Sequence, residues 1–365
     1  MATKNFDNFF DDLHGIVEGF GKQPEANAPV ELAPGFTSEE IRALFFDELA
    51  LREPPYKIYQ LNTDGYRYYY RWINGQPQFY PSVTTLLRQV MPTSPFLIKW
   101  MVENGPDGAA EKRDLAAAYG TFMHAQFERL LITRTYDFDA VPDILRDFMA
   151  KENLPDKFFN ENVVKVRKDV LAFAQFVRDY KVEPYAIEIG LVHPFHRYAG
   201  CIDLPCRMTD GKGRTFNAIV DFKSGRKGFW EEHEIQLHLY KMMWNETFPD
   251  VQIERVFNFS PKDWRKSPTY NLKDQTDSPN AAKIPHLLGL AEIEDDKREN
   301  TVVVVSGKLN LDDGDLMGNV QALSLSELVM KKADNSPKEG EILPSSTDTT
   351  REPGPEVEPS KTAGK

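Results

Sequence analysis

Short apolar runs interrupted by turn residues fill the middle of the chain. The runs at 185–195, 197–208 and 215–223 are rich in β-branched and aromatic residues, which predicts three successive strands. A fourth run at 253–261 predicts another strand.

Apolar residues at a spacing of three to four flank these strands and predict helices at 114–132, 160–181 and 228–248. In chain order this gives helices, three strands, a helix and a strand. That order is typical of an α/β fold with a central mixed sheet flanked by helices.

The segment before the helices has a different pattern. Aromatic residues dominate 56–80, with Asp64-Gly65 and Asn74-Gly75 between them, which predicts a β-meander joined by tight turns. We expect its central aromatic residues to form a packed hairpin face rather than to stack on bases; they are Tyr66, Tyr68, Tyr69, Tyr70 and Trp72. Pro81, Ser82 and Thr84 then indicate the start of a helix.

The ends of the chain have a polar and acidic character. A capping pattern predicts a short helix at 38–51, and 301–310 and 323–332 predict one more strand and helix. We therefore divide the chain into an acidic extension at 1–54, a domain at 55–290 with its core at about 78–262, a second acidic extension at 291–334 and a disordered tail at 335–365.

Composition limits the class of protein. Of the 365 residues, 41% are hydrophobic and 12% aromatic, which favours a packed core, and no apolar run reaches the ~20 residues of a membrane span. The two cysteines, Cys201 and Cys206, are no disulfide framework, so we expect a cytoplasmic protein. The net charge is -12, but the acidic excess lies in the two ends of the chain, and the nearly neutral domain can bind phosphate.

Polar residues interrupt the three central strands. Glu188, Asp203 and Asp221 each lie within an apolar run, and Lys223 follows two residues after Asp221. The Asp221–Lys223 spacing alone is typical of a surface ion pair. Three buried carboxylates are costly unless they are paired or bind a cation, so together they favour a site for Mg²⁺, which prefers oxygen ligands.

These residues belong to a longer series of motifs. "G-x-x-x-H" at Gly120 and His124, then Glu188, "GCID" and "DFK", then "Q-x-x-x-Y" at Gln236 and Tyr240, resemble the PD-(D/E)XK nuclease superfamily in its RecB-like exonuclease branch. "YPSVTTLL" and "MPTSPFLIKW" resemble the mitochondrial genome maintenance exonuclease group and its phage and bacterial relatives. The resemblance covers about residues 78–262 and implies a restriction-endonuclease-like core with a β-rich N-terminal elaboration.

The resemblance also implies roles for individual residues. It makes Asp203 and Asp221 the central metal ligands, joined by His124 and the backbone carbonyl of Phe222, and it makes Lys223 the catalytic lysine. Glu188 is the acid that would assist the metal or water. Gln236 and Tyr240 would brace Lys223 and contact the nucleic acid. Ser82 and Thr84 would bind phosphate through their hydroxyls.

The expected activity is hydrolysis of DNA phosphodiesters with Mg²⁺ or Mn²⁺, first as an exonuclease on single-stranded ends, in repair, recombination or phage genome processing. The chain lacks the cysteines of the cluster-bearing members of this branch, so we expect no iron–sulfur cluster. The setting would be the cytoplasm of a bacterial or phage-infected cell. The acidic extensions would bind a protein partner or limit non-specific DNA binding. An endonuclease and a catalytically silent DNA-binding module stay open as alternatives.

Overall fold

The computed structural model describes residues 51–63, 66–225, 228–296, 304–307 and 320–334. The described residues belong to two units, one ending at residue 296 and one beginning at residue 304. Except for residue 51, the helix predicted at 38–51 lies outside the described residues, as does the tail at 335–365.

A five-stranded mixed sheet lies at the centre of the first unit. Its central strand β8 (Thr215–Phe222) pairs antiparallel with β7 (Leu204–Thr209) and parallel with β9 (Arg255–Pro261). The outer strands, β4 (Glu183–Pro184) beside β7 and β10 (Tyr270–Asp274) beside β9, are antiparallel to their neighbours. The predicted α/β class with a central mixed sheet is confirmed.

Three helices cover one face of this sheet. They are α2 (Pro95–Thr133), α3 (Val141–Glu152) and α4 (Asp156–Asp179). Their buried side chains join Val220, Phe222 and Phe259 of the sheet in one core. Successive residues of a strand point to opposite faces, so Phe222 enters this core while Asp221 points to the other side.

The other face packs against α1 (Val83–Val90), α5 (Glu231–Thr247) and α6 (Ile284–Asp296). A separate hairpin of β5 (Ile189–His193) and β6 (Tyr198–Ile202) completes this second core. Ile219 of β8 belongs to the same core, so Asp221, two residues further on, lies on the face that carries α5.

The predicted β-meander is present as β1 (Tyr59–Thr63), β2 (Tyr66–Ile73) and β3 (Gln76–Pro81). Asn74 and Gly75 both have positive φ, at 52° and 76°, as a two-residue hairpin turn requires. Tyr69 and Tyr80 are buried against Val192 and Ala199 of the β5–β6 hairpin. The packed-face expectation therefore holds for Tyr69, whereas Trp72 is 38% exposed.

Several elements differ from the sequence prediction. The run at 197–208 is two strands in two different sheets, because the chain bends at Asp203. The strand expected at 185–195 is shortened to 189–193. The helix expected at 114–132 begins already at Pro95, with a kink where Gly105 adopts φ 68° before Pro106. Elements that were not predicted include α3, β10, α6 and a 3-10 helix at Pro279–Lys283.

The second unit has β11 (Val304–Gly307) paired antiparallel with β12 (Val320–Leu323), followed by α7 (Leu325–Asp334). The strand predicted at 301–310 and the helix predicted at 323–332 are therefore present. In the part of the chain that the structure describes, no helix is both long and apolar enough to cross a lipid bilayer.

Removing a core aromatic should strongly destabilise the first unit. Phe173 is fully buried and stacks on Phe127 with ring centroids 4.1 Å apart. We expect Phe173→Ala to lower the free energy of unfolding by about 3–5 kcal/mol, measured by urea denaturation. The matched control Phe195→Ala, at a side chain that is 74% exposed, should leave it nearly unchanged; equal losses would contradict this packing.

Candidate functional site

Asp203 lies at the bend between β6 and β7, where the chain passes from the hairpin into the central sheet. Its carboxylate Oδ2 accepts a 2.6 Å hydrogen bond from the backbone N–H of Phe222 at the end of β8. Antiparallel pairing of β7 with β8 stops at Leu204 and Val220. The Asp203 side chain thus satisfies a backbone donor just beyond this ladder and fixes the end of β8.

Glu188 immediately precedes β5 and has a positive φ of 49°. This left-handed conformation costs a non-glycine residue about 1 kcal/mol or more. The Glu188 N–H donates to the carbonyl of Asp203 at 2.8 Å, which holds the strained backbone in place. Its carboxylate Oε2 accepts from the thiol of Cys201 at 3.3 Å.

His124 of α2 lies between these acids and the end of β8. Its Nδ1 is 3.0 Å from Glu188 Oε1 and 3.7 Å from Asp203 Oδ1. Its Nε2 is 3.1 Å from the carbonyl oxygen of Phe222. Both ring nitrogens face acceptors, so the ring is best satisfied as a doubly protonated imidazolium.

The ionisation of the cluster reflects its burial and its charge. Burial by itself lowers the pKa of His124, but the charge of Asp203 and the hydrogen bond with Glu188 outweigh it and raise the pKa to about 9. Burial raises the pKa of Asp203; His124 opposes this rise, whereas Glu188 adds to it. The protonated imidazole therefore supplies positive charge that the two carboxylates require.

The donor set fits a hard divalent cation. Ligand atoms of His124, Glu188 and Asp203 all lie within 4.8 Å of one another, and the Phe222 carbonyl faces the same imidazole. Carboxylate and carbonyl oxygens are the ligands that Mg²⁺ and Mn²⁺ prefer. A cation here would replace the proton of His124 as the source of positive charge, so the residues present suit such an ion.

Asp221 is paired with Lys223 and with an asparagine that was not predicted. Lys223 Nζ lies 3.0 Å from its Oδ1 and 2.9 Å from its Oδ2, and Asn258 of β9 donates to Oδ2 at 2.9 Å. Asp221 is not part of the clustered group of His124, Glu188 and Asp203. Glu188, which was predicted to assist the metal or water, lies in that group, and the role of Asp221 as a metal ligand stays a prediction.

Lys223 is held from two sides. Its ammonium group also donates to Gln236 Oε1 at 3.0 Å, and Gln236 Nε2 donates to the hydroxyl of Tyr240 at 2.8 Å. Gln236 and Tyr240 are one turn apart on α5, so they share a face. Gln236 thus contacts Lys223 directly and Tyr240 does so through Gln236, whereas their contact with nucleic acid stays a prediction. The Asp221–Lys223 pair is not at the surface, because the Asp221 side chain is only 2% exposed.

These side chains line a single pocket. Its volume is about 700 Å³, within the range of small-ligand sites. Of the predicted site residues, Phe222 alone is not in its lining. The lining includes Ser82, Thr84, His124, Glu188, Asp203, Asp221, Lys223, Gln236 and Tyr240.

The two predicted phosphate-binding hydroxyls have different surroundings. Ser82 is buried and caps α1, where its Oγ accepts from the N–H of Thr85 at 3.0 Å and donates to Thr85 Oγ1 at 2.9 Å. Thr84 is exposed, with its Oγ1 3.0 Å from Ser82 Oγ. The capping role of Ser82 is present, and phosphate binding by either hydroxyl stays a prediction.

Sequence reasoning missed several residues in and behind the pocket. Asn258 lies behind the pocket, where it donates to Asp221. It interrupts the apolar run of β9 as Asp221 interrupts that of β8, so the same rule could have found it. Thr121, Ala125 and Glu128 lie within one turn of His124 on α2, and Gly200 and Cys201 belong to the "GCID" motif, so they follow from predicted residues. Tyr69 was expected only to pack. Gln60 and Arg67 gave no signal, because contacts between distant elements bring them to the pocket.

The comparison with known families agrees with this geometry. Residues 98–300 match the sequence profile of the PD-(D/E)XK nuclease superfamily, and this range is more than half of the 365-residue chain. The protein belongs to the PD-(D/E)XK nuclease superfamily. No curated protein matches the chain. Membership indicates a metal-dependent phosphodiester hydrolase that acts on nucleic acid. The acidic cluster and Lys223 both lie within the matched range.

Gly200 of β6 offers a test of the Tyr240 position in this nuclease. A Cβ at Gly200 would lie 2.6 Å from Tyr240 Cε1, too close for any real contact, so Gly200→Ala must displace the phenol to which Gln236 donates. We expect a decrease in nuclease turnover of about tenfold or more. Gly211→Ala, where a Cβ meets nothing within 4 Å, is the control, and unchanged turnover in Gly200→Ala would contradict the proposed bracing.

Proposed function

We propose that this protein is a metal-dependent deoxyribonuclease that degrades DNA from single-stranded ends. The observation that carries the proposal is the convergence of two groups in one pocket. The His124–Glu188–Asp203 group could hold a cation, and the paired Asp221 and Lys223 lie beside it, all within a member of a nuclease superfamily.

Each side chain has a distinct task in this proposal. Glu188, Asp203, His124 and the carbonyl of Phe222 would hold the cation, with Asp221 as the further predicted ligand. The bound Mg²⁺ or Mn²⁺ would supply an acidified water as nucleophile and would neutralise the charge that develops on the phosphate. Asp203 has a second task, because it also fixes the backbone of Phe222.

Lys223 would stabilise the negative charge of the reacting phosphate. An ammonium group has three N–H donors, and Asp221 and Gln236 accept two of them. The third can donate to a phosphate oxygen or to the attacking water. Because Asp221 and Gln236 fix the position of Lys223 before substrate binds, little reorganisation is needed when charge develops.

Action on DNA ends is supported by the segment that resembles the exonuclease group. This segment, 81–84, ends β3 and begins α1, and Ser82 and Thr84 line the same pocket as Lys223. An endonuclease has the same chemistry and is the alternative. A catalytically silent DNA-binding module is less well supported, because all the predicted catalytic side chains are present and converge.

The cellular role that we propose is repair, recombination or phage genome processing in the cytoplasm of a bacterial or phage-infected cell. It is supported by the resemblance to phage and bacterial exonucleases. We further propose that the acidic extensions contact a protein partner or reduce non-specific DNA binding by repulsion. Pull-down and DNA-binding assays with and without these extensions distinguish the two roles.

Changes at the charged pair should strongly slow the degradation of DNA. With Mg²⁺ and end-labelled single-stranded DNA, we expect Asp221→Asn and Lys223→Ala each to decrease turnover by about 10²–10³-fold, as for loss of one preorganised electrostatic contact. Lys212→Ala, in the exposed turn between β7 and β8, should be fully active. Equal degradation by all variants would contradict the assignment. Wild-type protein that binds DNA but degrades neither DNA nor RNA would instead indicate the silent module.

A comparison of linear and covalently closed single-stranded circles tests end dependence. An exonuclease needs a terminus, so we expect the linear strand to be degraded and the circle to persist under the same Mg²⁺ concentration. Gel electrophoresis with 5′ and 3′ labels in parallel reads both the end requirement and the polarity. Cleavage of the circle at a comparable rate would establish the endonuclease alternative.

A further inference from the structure

The β-meander forms part of the pocket wall although it lies outside the range that matches the superfamily. The pocket is lined by Gln60 of β1 and by Arg67 and Tyr69 of β2, whereas the match begins at residue 98. Gln60 and Tyr69 are direct partners in the β1–β2 ladder. Arg67 lies two residues from Tyr69 and therefore on the same face of the meander.

Packing fixes this wall firmly. Tyr69 is 5% exposed, and with its ladder partner Tyr80 it packs on Val192 and Ala199 of the β5–β6 hairpin. That hairpin leads directly into Asp203. The pocket-facing surface of the meander is thus held on the element that positions the acidic cluster.

The backbone of Arg67 is anchored at the start of α1. Its carbonyl accepts hydrogen bonds from the N–H of Ser82 at 2.9 Å and from Thr85 Oγ1 at 3.0 Å, and its own N–H donates to the same Thr85 Oγ1 at 3.0 Å. The side chain is exposed and hydrogen bonds the phenol of Tyr69. A well-fixed main chain therefore presents a solvent-accessible guanidinium to the pocket.

Carboxylates outnumber cationic side chains in the pocket, which makes the charge of Arg67 important for binding a phosphate. Among the described lining residues there are four carboxylates, and apart from His124 the cationic side chains are Arg67 and Lys223. The carboxylate of Asp221 offsets the charge of Lys223, which is also needed at the reacting phosphate. Arg67 is therefore the accessible cation for a neighbouring phosphate of the DNA strand. A guanidinium is well suited to a phosphate because its planar N–H groups match two oxygens.

We propose that Arg67 forms a phosphate subsite that holds a phosphodiester next to the one being cleaved, with Gln60 beside it as a further polar contact. This proposal rests on the nuclease function proposed above and extends it. The subsite positions the DNA strand, while the reacting phosphate lies at Lys223 and the acidic cluster. The elaboration outside the superfamily match thus determines how the substrate strand is held.

Arg71 provides a matched control for the test. It lies on the same strand and the same face as Arg67, but its guanidinium covers the Tyr56 ring at 3.8 Å and does not line the pocket. With linear single-stranded DNA, Arg67→Ala should raise KM about tenfold, as for loss of one charge-assisted contact, with kcat little changed. Arg67→Lys should be intermediate, and Arg71→Ala should match wild type.

A binding measurement without cleavage separates this proposal from the nuclease function. In Ca²⁺, fluorescence anisotropy should show that Arg67→Ala weakens the affinity for a labelled strand and reduces the slope of log affinity against log salt by about 1. Failure of wild type to cleave in Mg²⁺ would overturn the nuclease proposal. An Arg67→Ala variant indistinguishable from Arg71→Ala in KM, affinity and salt slope would overturn the subsite.

Uncharged methylphosphonate linkages in the DNA strand identify which phosphate Arg67 contacts. A single methylphosphonate placed in turn at each linkage near the cleaved bond should weaken wild-type binding about tenfold at one position. Arg67→Ala should be insensitive at that position, because the contact has already been removed. Equal sensitivity of wild type and Arg67→Ala at every linkage would overturn the assignment. Melting temperatures of the variants confirm that the exposed side chain was removed without unfolding.

Discussion

The hydrogen bond from the Phe222 N–H to the Asp203 carboxylate is the interaction on which the site depends. It joins the bend between two sheets to the end of the central strand. Phe222 is then fixed with its ring in the aromatic core and its carbonyl at His124. The alternation of β8 places Asp221 on the opposite face, toward α5. One carboxylate thus sets the positions of both halves of the pocket.

The spacing of apolar residues along the chain was sufficient to predict much of the fold. The alternation in β8 and the spacing in α4 and α5 predicted those elements, and polar residues inside apolar strands indicated Asp203 and Asp221. The break at Asp203 could not be predicted, because 197–208 reads as one strand and only the pairing of each half with a different sheet divides it. Glu188 likewise reads as a strand residue, yet a tertiary contact with Asp203 holds it at positive φ.

The roles of individual acids depend on contacts that no motif contains. Asp221 accepts from Lys223 and from Asn258, and Asn258 in turn accepts from Gln275 at 3.3 Å. This buried amide chain fixes the carboxylate of Asp221 beside Lys223, in the pocket that also contains His124, Glu188 and Asp203. The position of Arg67 also depends on a tertiary contact, because hydrogen bonds between the meander and the start of α1 bring it to the pocket. Three buried carboxylates and the half-buried Glu188 in one pocket are compatible with a stable fold only when each has a donor or a cation nearby.

The acidic cluster is the proposed site for the cation used in phosphodiester hydrolysis. The anomalous difference map of a crystal of the wild-type protein soaked in Mn²⁺ tests this site directly. We predict a peak bounded by the carboxylates of Glu188 and Asp203, the carbonyl of Phe222 and the ring of His124. Strong Mn²⁺ peaks elsewhere in the molecule, with none at this cluster, in a protein that degrades DNA with the same ion would show that the cation binds at another place.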